Sequence, residues 1–241
     1  MGSVRFGIPQ DLAADLVQAC GLTAAVETGT YKGESAVVLR TLCPNVWSIE
    51  LSPTLHAEAA ARHAGVPGLH FVQGDSGEVL PGLLEELDGP ALFWLDGHVM
   101  PGDSNFDHAE CPVVAEINAI NASKHGADAC ILIDDAVLFL AAPQFGLTPT
   151  DWPSILDVVD LLRVHPDRHV TVLDDVVIAG PPAIREVVDH WWARLVAERG
   201  GTTTLVPLRL LTQAFNPTPT QALRRLGKAL VNTARRRTHP G

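Results

Sequence analysis

Val26-Glu27-Thr28-Gly29-Thr30-Tyr31-Lys32-Gly33-Glu34-Ser35 is the stretch on which the fold turns. Ahead of it stand Ala24, Ala25 and Val26, a short apolar run that ends in an acid. After it the pattern becomes helical as far as Leu42. A strand, a tight glycine-bearing loop and a helix N-terminus are the expected result. Glycine lets backbone N–H groups approach a ligand closely, and a helix N-terminus adds partial positive charge. Such a turn suits a nucleotide-like or carboxylate-bearing small molecule. Glu27 argues against a pyrophosphate, because a carboxylate repels phosphates. It suits a ligand with a cationic centre.

Outward from this run, short apolar segments alternate with longer helical ones. Residues 8–20 read as an N-terminal helix with Pro9 near its start. Strands are expected over 24–27, 46–50, 69–73, 91–95 and 129–133. Helices are expected over 33–42, 53–64, 76–87, about 109–123, 154–164 and 183–198. Residues 170–173 and 176–179 read as two strands joined by Asp174-Asp175, a tight antiparallel turn. The alternation predicts an α/β fold with a mostly parallel seven-stranded sheet, a terminal antiparallel hairpin and helices on both faces. In such sheets ligands bind beyond the carboxyl ends of the strands. Glu27, Glu50, Asp75, Asp96 and Asp134 all fall at or just past those ends. A solvated turn acid has no reason to recur at one edge, strand after strand.

Two late strands carry the chemistry. Leu92-Phe93-Trp94-Leu95-Asp96-Gly97-His98 ends the fourth, and Ile131-Leu132-Ile133-Asp134-Asp135 ends the fifth. If these strands are neighbours, three carboxylates meet at one sheet edge. Clustered anions cannot all stay ionised in a cleft without a cation. Oxygen ligands of this kind suit a hard divalent ion, Mg²⁺ above all. The plainer reading has Asp135 capping the next turn and Asp96 accepting backbone N–H groups.

Taken together, these motifs resemble the class I S-adenosylmethionine-dependent methyltransferases over roughly residues 20–180. The shared features are acid-x-Gly-x-x-x-Gly after strand one, an acid closing strand two, Gly-Asp-Ser after strand three, and the terminal hairpin. The resemblance implies a Rossmann-like sheet. It implies that Gly29 and Gly33, with Glu27, Thr28, Tyr31 and Ser35 beside them, cradle the methionine part of the cofactor. It implies that Glu50 receives the ribose hydroxyls, and that Asp75 and Ser76 meet the adenine. The last two equally suit a helix cap. Tyr31 stands where the commoner loop has its middle glycine. Asp96 is counted with both the cofactor and the metal residues.

The later pattern, Asp-Gly-His followed by Asp-Asp, resembles the metal-dependent O-methyltransferases that act on sugar hydroxyls of macrolide and aminocoumarin natural products. There three acids hold Mg²⁺, here Asp96, Asp134 and Asp135, and a residue just after the first acid removes the proton, here His98. An imidazole near its ordinary pKa is a competent base at neutral pH. The alternative for His98 is a ring packed behind the metal or bound to a loop carbonyl. The implied activity is Mg²⁺-dependent methyl transfer from S-adenosylmethionine to a sugar-type hydroxyl, with S-adenosylhomocysteine as product. A catechol-type phenol is the rival acceptor, and a non-catalytic S-adenosylmethionine-binding module is the rival role. A nicotinamide enzyme lacks its fingerprint here, since Gly-x-Gly-x-x-Gly is absent. A metal-dependent hydrolase would need no methyl donor.

Composition frames the rest. The 241 residues are 46% hydrophobic and 19% charged, enough for one sizeable core. Residues 1–199 are read as the methyltransferase domain, with residues 21–180 as its core. No transmembrane run or signal pattern appears, so a cytoplasmic protein is expected. The four cysteines (Cys20, Cys43, Cys111, Cys130) form no C-x-x-C pair and read as reduced, mostly core thiols. After Glu198 there are eight cations and no acid, so residues 1–198 carry a net −19 against −11 for the whole chain. So acidic a body argues against a nucleic-acid partner. Residues 200–241 read as a linker and a basic helical tail, suited to packing on an acidic body or to peripheral membrane contact. Pairing of the chain into a homo-oligomer is compatible with both terminal additions. The polar segment 100–108, with Asp103, Asp107 and His108, reads as a substrate lid. His56, His63, His70, His125 and His165 are expected on the surface, and Trp191-Trp192 against the sheet or a second subunit.

Overall fold

The computed structural model describes residues 7–98, 110–140 and 151–199. The expected lid at 100–108 and the linker and tail at 200–241 lie outside the described residues. Within them, α1 (Gln10–Cys20) leads into β1 (Ala24–Thr28), α2 (Glu34–Leu42), β2 (Asn45–Glu50), α3 (Pro53–Arg62) and β3 (Leu69–Gln73). Then come α4 (Ser76–Glu86), β4 (Ala91–Leu95), α5 (Val113–Ala122) and β5 (Cys130–Ile133). The described chain ends with α6 (Ala136–Leu140), α7 (Ile155–Leu162), β6 (His169–Leu173), β7 (Val176–Gly180) and α8 (Ile184–Glu198). The described residues divide into two units, with the boundary between Trp191 and Trp192. The candidate site belongs wholly to the first.

All seven strands form one sheet in the order β3-β2-β1-β4-β5-β7-β6. The first five are parallel, and β7 runs antiparallel to both β5 and β6. Every residue of β1, β4, β5 and β7 is buried, whereas the edge strands β3 and β6 are only partly covered. Unbroken burial is what a strand covered by helices on both faces requires, and it explains the apolar rather than alternating sequences. Val26, Phe93, Leu95, Ile131 and Ile133 form the centre of one face, packed by Leu80 and Leu84 of α4 and by Ile117 and Ile120 of α5.

Local signals set the ends of the elements. Gly21 closes α1 in the left-handed conformation, its N–H donating to the Val17 carbonyl. Ser154 and Asp157 form a reciprocal capping box on α7. Asp174 and Asp175 both have positive φ, 50° and 68°, as a two-residue hairpin turn demands. Two features depart from the sequence reading. α5 begins at Val113 rather than near residue 109, because Pro112 occupies its N-cap. The short α6 was not expected; it follows directly from the Asp134-Asp135 corner. Among the described residues no helix is long and apolar enough to cross a membrane.

Candidate active site

The strand order places the ends of β1 and β4 side by side, and the two halves of the site touch there. Gly29 has φ +83° and its N–H donates to the Ile49 carbonyl at 3.0 Å. A Cβ on Gly29 would strike the Asp96 carbonyl. Glycine is therefore required twice over, by conformation and by the close approach of two backbones. Opposite it, a Cβ on Gly97 would crowd Thr28 at 3.2 Å. The Asp96 N–H donates to the Thr28 carbonyl at 3.1 Å, and the Asp134 N–H to the Leu95 carbonyl at 3.1 Å. These bonds carry the β1–β4–β5 ladder beyond the strand ends and align the acids.

On the β1–β2 side the carboxylates are supplied with donors by the chain itself. The Ser48 hydroxyl donates to Glu27 Oε2 at 2.5 Å, and Thr30 Oγ1 lies 2.6 Å from Ser48 Oγ. Glu27 is wholly buried, and burial pushes its pKa up to about 7 against the pull of Ser35 and Ser48. Its Oε1 has no hydrogen bond of normal geometry, although Ser35 stands near enough to favour the ionised form. Glu50 accepts the Tyr31 N–H on Oε2 and the Ser52 N–H on Oε1, each at 2.9 Å. The acid that closes β2 thus holds the glycine turn in place. Tyr31 itself has φ +47°, leaving its ring 61% exposed with Lys32 Nζ 5.2 Å from the ring centre. Asp75 Oδ1 accepts the Gly77 N–H at 2.8 Å and caps α4, so the capping alternative is realised.

On the β4–β5 side the acids have little positive charge among them. His98 Nε2 lies 3.1 Å from Asp135 Oδ2 and 4.0 Å from Asp96 Oδ1. Its side chain is 3% exposed and meets the Trp152 ring edge-on at 5.4 Å. Burial and the neighbouring Asp134 and Asp135 push the Asp96 pKa to about 8. Asp134 rises to about 6, again mainly through burial. Burial opposes the charged form of His98, but the Asp135 hydrogen bond and the surrounding carboxylates outweigh it and raise the pKa. Through Nε2 the ring meets a carboxylate. Asp135 occupies a left-handed corner, φ +50°, and its N–H donates to Asp134 Oδ1 at 2.9 Å.

Two supporting acids went unread in the sequence. Glu116 of α5 is 1% exposed and accepts the Ser76 hydroxyl at 2.5 Å. Its Oε1 lies beneath Gly97, and burial lifts its pKa to about 6. The available signal was an acid on the buried stripe Val113, Ile117, Ile120. Asp175, in the hairpin turn, accepts the Val137 N–H on Oδ1 at 2.8 Å, while its carbonyl accepts the Ala136 N–H at 2.9 Å. The hairpin thereby caps α6 immediately after Asp135. Nor is His63 merely a surface residue: its Nε2 lies 2.9 Å from the Lys32 carbonyl, and its ring backs Gly33.

Two solved structures share this architecture. A Staphylococcus aureus protein assigned as a caffeoyl-CoA O-methyltransferase aligns over 75% of this chain and 86% of its own, with TM-score 0.51 and 12% identity. A Bacillus cereus O-methyltransferase aligns over 72% of this chain and 81% of its own, with TM-score 0.50 and 19% identity. This is the class I methyltransferase fold. No family model matches the sequence, and no curated protein does.

In the class I methyltransferase fold the resident donor is S-adenosylmethionine, and the β1–β2 side fits it. A cationic group has a wholly buried carboxylate in Glu27, a turn no side chain could fill at Gly29, and a second carboxylate at Glu50. On the β4–β5 side the three carboxylates supply oxygen donors of the type a hard cation takes, with His98 the imidazole beside them among the described residues. Among the described residues no three His, Cys, Asp or Glu side chains are grouped so as to hold a metal ion.

Proposed function

We propose that this chain transfers the methyl group of S-adenosylmethionine to a hydroxyl of a small molecule, with a sugar or related polyol as acceptor and Mg²⁺ as the metal. The observation that carries the reading is the backbone contact between Gly29 and Asp96. It brings a turn suited to a cationic donor against a carboxylate cluster with an imidazole in it. The Bacillus cereus protein of the same fold was solved with S-adenosylhomocysteine, the product such a transfer leaves.

S-adenosylmethionine, when bound, supplies a methyl on a sulfonium that needs no further activation. Mg²⁺, held by Asp96, Asp134 and Asp135, would supply the charge that lowers a hydroxyl pKa toward the working range. The remaining work falls to the chain. Glu27 offsets the donor's positive charge, and Thr28, Gly29, Tyr31, Gly33 and Ser35 shape the turn around it. Glu50 accepts the ribose hydroxyls; an ionised carboxylate has lone pairs to spare beyond the two N–H groups it already receives. Ser76, fixed by Glu116, and Asp75 border the adenine side. His98 accepts the acceptor's proton, and its Nε2 contact with Asp135 holds the imidazole in place. Trp152 shields the imidazole from one side, which limits its access to water.

The test is calorimetry with S-adenosylmethionine, followed by a labelled-methyl screen over glycosides and catechols, each with Mg²⁺ and with chelator. Binding of the donor and metal-dependent labelling of a glycoside are expected. Absence of donor binding would end the methyltransferase reading. Full activity in chelator would remove the metal alone, and labelling confined to catechols would replace the acceptor class.

A further inference from the structure

Away from the candidate site, at the opposite end of the sheet, two thiols meet. Cys20 closes α1 and Cys130 opens β5, and their sulfurs stand 3.7 Å apart although 110 residues separate them in sequence. Both are free thiols; Cys20 is partly exposed and Cys130 is buried. A disulfide needs the sulfurs at roughly 2.05 Å, so about half the present separation must close. Glycines flank the pair. Cys20 is the last helical residue before Gly21, where a side chain would meet nothing within 4 Å. Cys130 Sγ sits over Gly180, where a Cβ would come to 3.3 Å of it, so the glycine leaves the sulfur its space.

The four cysteines are not chemically alike. Burial pushes the Cys43 thiol up to about 11 and the Cys111 thiol to about 12, which makes both inert. Cys20 moves the other way, to about 7, because the Cys130 thiol donates a hydrogen bond to its sulfur; burial and Asp128 oppose this. Hydrogen bonding to Cys20 and burial raise the Cys130 thiol, with the Arg168 guanidinium pulling the other way. One sulfur is therefore poised as an accessible thiolate and the other as a protonated partner in contact with it.

We propose that Cys20 and Cys130 form an oxidant-responsive dithiol, which hydrogen peroxide converts into a disulfide joining the end of α1 to the first residue of β5. The Cys20 thiolate attacks a peroxide oxygen; the O–O bond breaks, and the departing hydroxide takes a proton and leaves as water. The Cys130 sulfur then attacks the Cys20 sulfenic acid. The S–S bond forms, the S–O bond breaks, and the proton of Cys130 leaves with that oxygen as a second water. The two thiols together lose two electrons, which reduce one peroxide. The inference is independent of the methyl-transfer reading, since neither cysteine borders the candidate site.

The experiment treats the full chain with hydrogen peroxide, alkylates the remaining thiols and maps the peptides by mass. A Cys20–Cys130 linked peptide that dithiothreitol releases is expected, with Cys43 and Cys111 still alkylated. In Cys130→Ser, Cys20 should accumulate as a sulfenic acid that a dimedone probe captures. Recovery of Cys20 and Cys130 alkylated to the same extent as Cys43 and Cys111 would overturn the proposal. So would a Cys20 link between two chains. Should Cys130→Ser fail to fold, the peptide map of the unsubstituted protein decides the matter.

Discussion

The two halves of the sheet edge treat their carboxylates in opposite ways. On the β1–β2 side, Glu27 and Glu50 are met by a hydroxyl and by two backbone N–H groups that the chain supplies. On the β4–β5 side, Asp96, Asp134 and Asp135 have, among the described residues, the His98 imidazole beside them. The first arrangement is preorganised and asks a ligand only to occupy it. Among the described residues the second is short of positive charge, which protonation of Asp96 or the proposed cation would relieve. On the proposed reading, donor binding and reactivity are built on neighbouring strands by different means.

The hardest blow to this division is expected from His98→Ala. It should lower kcat by about 10²–10⁴-fold while leaving the calorimetric affinity for S-adenosylmethionine unchanged. Equal loss of both would merge the two halves into one binding site.

The unliganded protein offers the next contrast. Glu27, Asp96, Asp134 and Glu116 have folded pKa values of about 7, 8, 6 and 6. Unfolded carboxyls titrate near ~4, so between about pH 4 and 8 the native state holds more protons than the unfolded one. Stability is therefore greatest at the acid end of that window and falls as pH rises through it. A progressive loss of stability between pH 5 and pH 8 is expected in denaturant titrations. Saturating Mg²⁺ should return part of it at pH 8, where Asp96 and Asp134 are ionised. A flat profile would contradict the buried-acid picture on both sides at once.

Glu50→Ala should weaken donor binding by roughly 10–100-fold, the range for losing hydrogen bonds to a charged acceptor, with part of the loss arising from the freed Tyr31 turn. A smaller effect concerns protons. A cationic donor beside Glu27 favours its ionised form, so binding should release a proton below about pH 7. Affinity should then fall by up to about tenfold per pH unit on acidification. Glu27→Gln should flatten that slope, as calorimetry in buffers of different ionisation enthalpy can report. Glu116→Gln is expected to be the mildest, costing about 1 kcal/mol of stability, because an amide oxygen still accepts the Ser76 hydroxyl.

Much of this was legible in the chain. Glu27-x-Gly29, the acid ending β2, the Asp96-Gly97-His98 run and the Asp134-Asp135 corner all stand at strand ends, where the sequence reading expected them. The signal there is local: apolar runs stop at acids and glycines, and backbone preference acts over a few residues. The Asp174-Asp175 turn was legible for the same reason. Glu116 and Asp175 were not, because their partners, Ser76 and Val137, lie 40 and 38 residues away. Nor was the division of roles at Asp75, whose capping and cofactor readings have the same local signature.

The amino-acid sequence by itself determined the alternation of strands and helices, the left-handed turn after β1 and the acids that close the strands. These follow from side-chain periodicity and from φ preferences that each residue carries wherever it sits. Only the tertiary structure decided that β1 lies between β2 and β4, that Gly29 rests on Asp96, that His98 faces Asp135 and that Cys20 meets Cys130. Those contacts join residues far apart in the chain. Pairing strands and excluding water from a shared core selects them, and no short stretch of sequence holds that information.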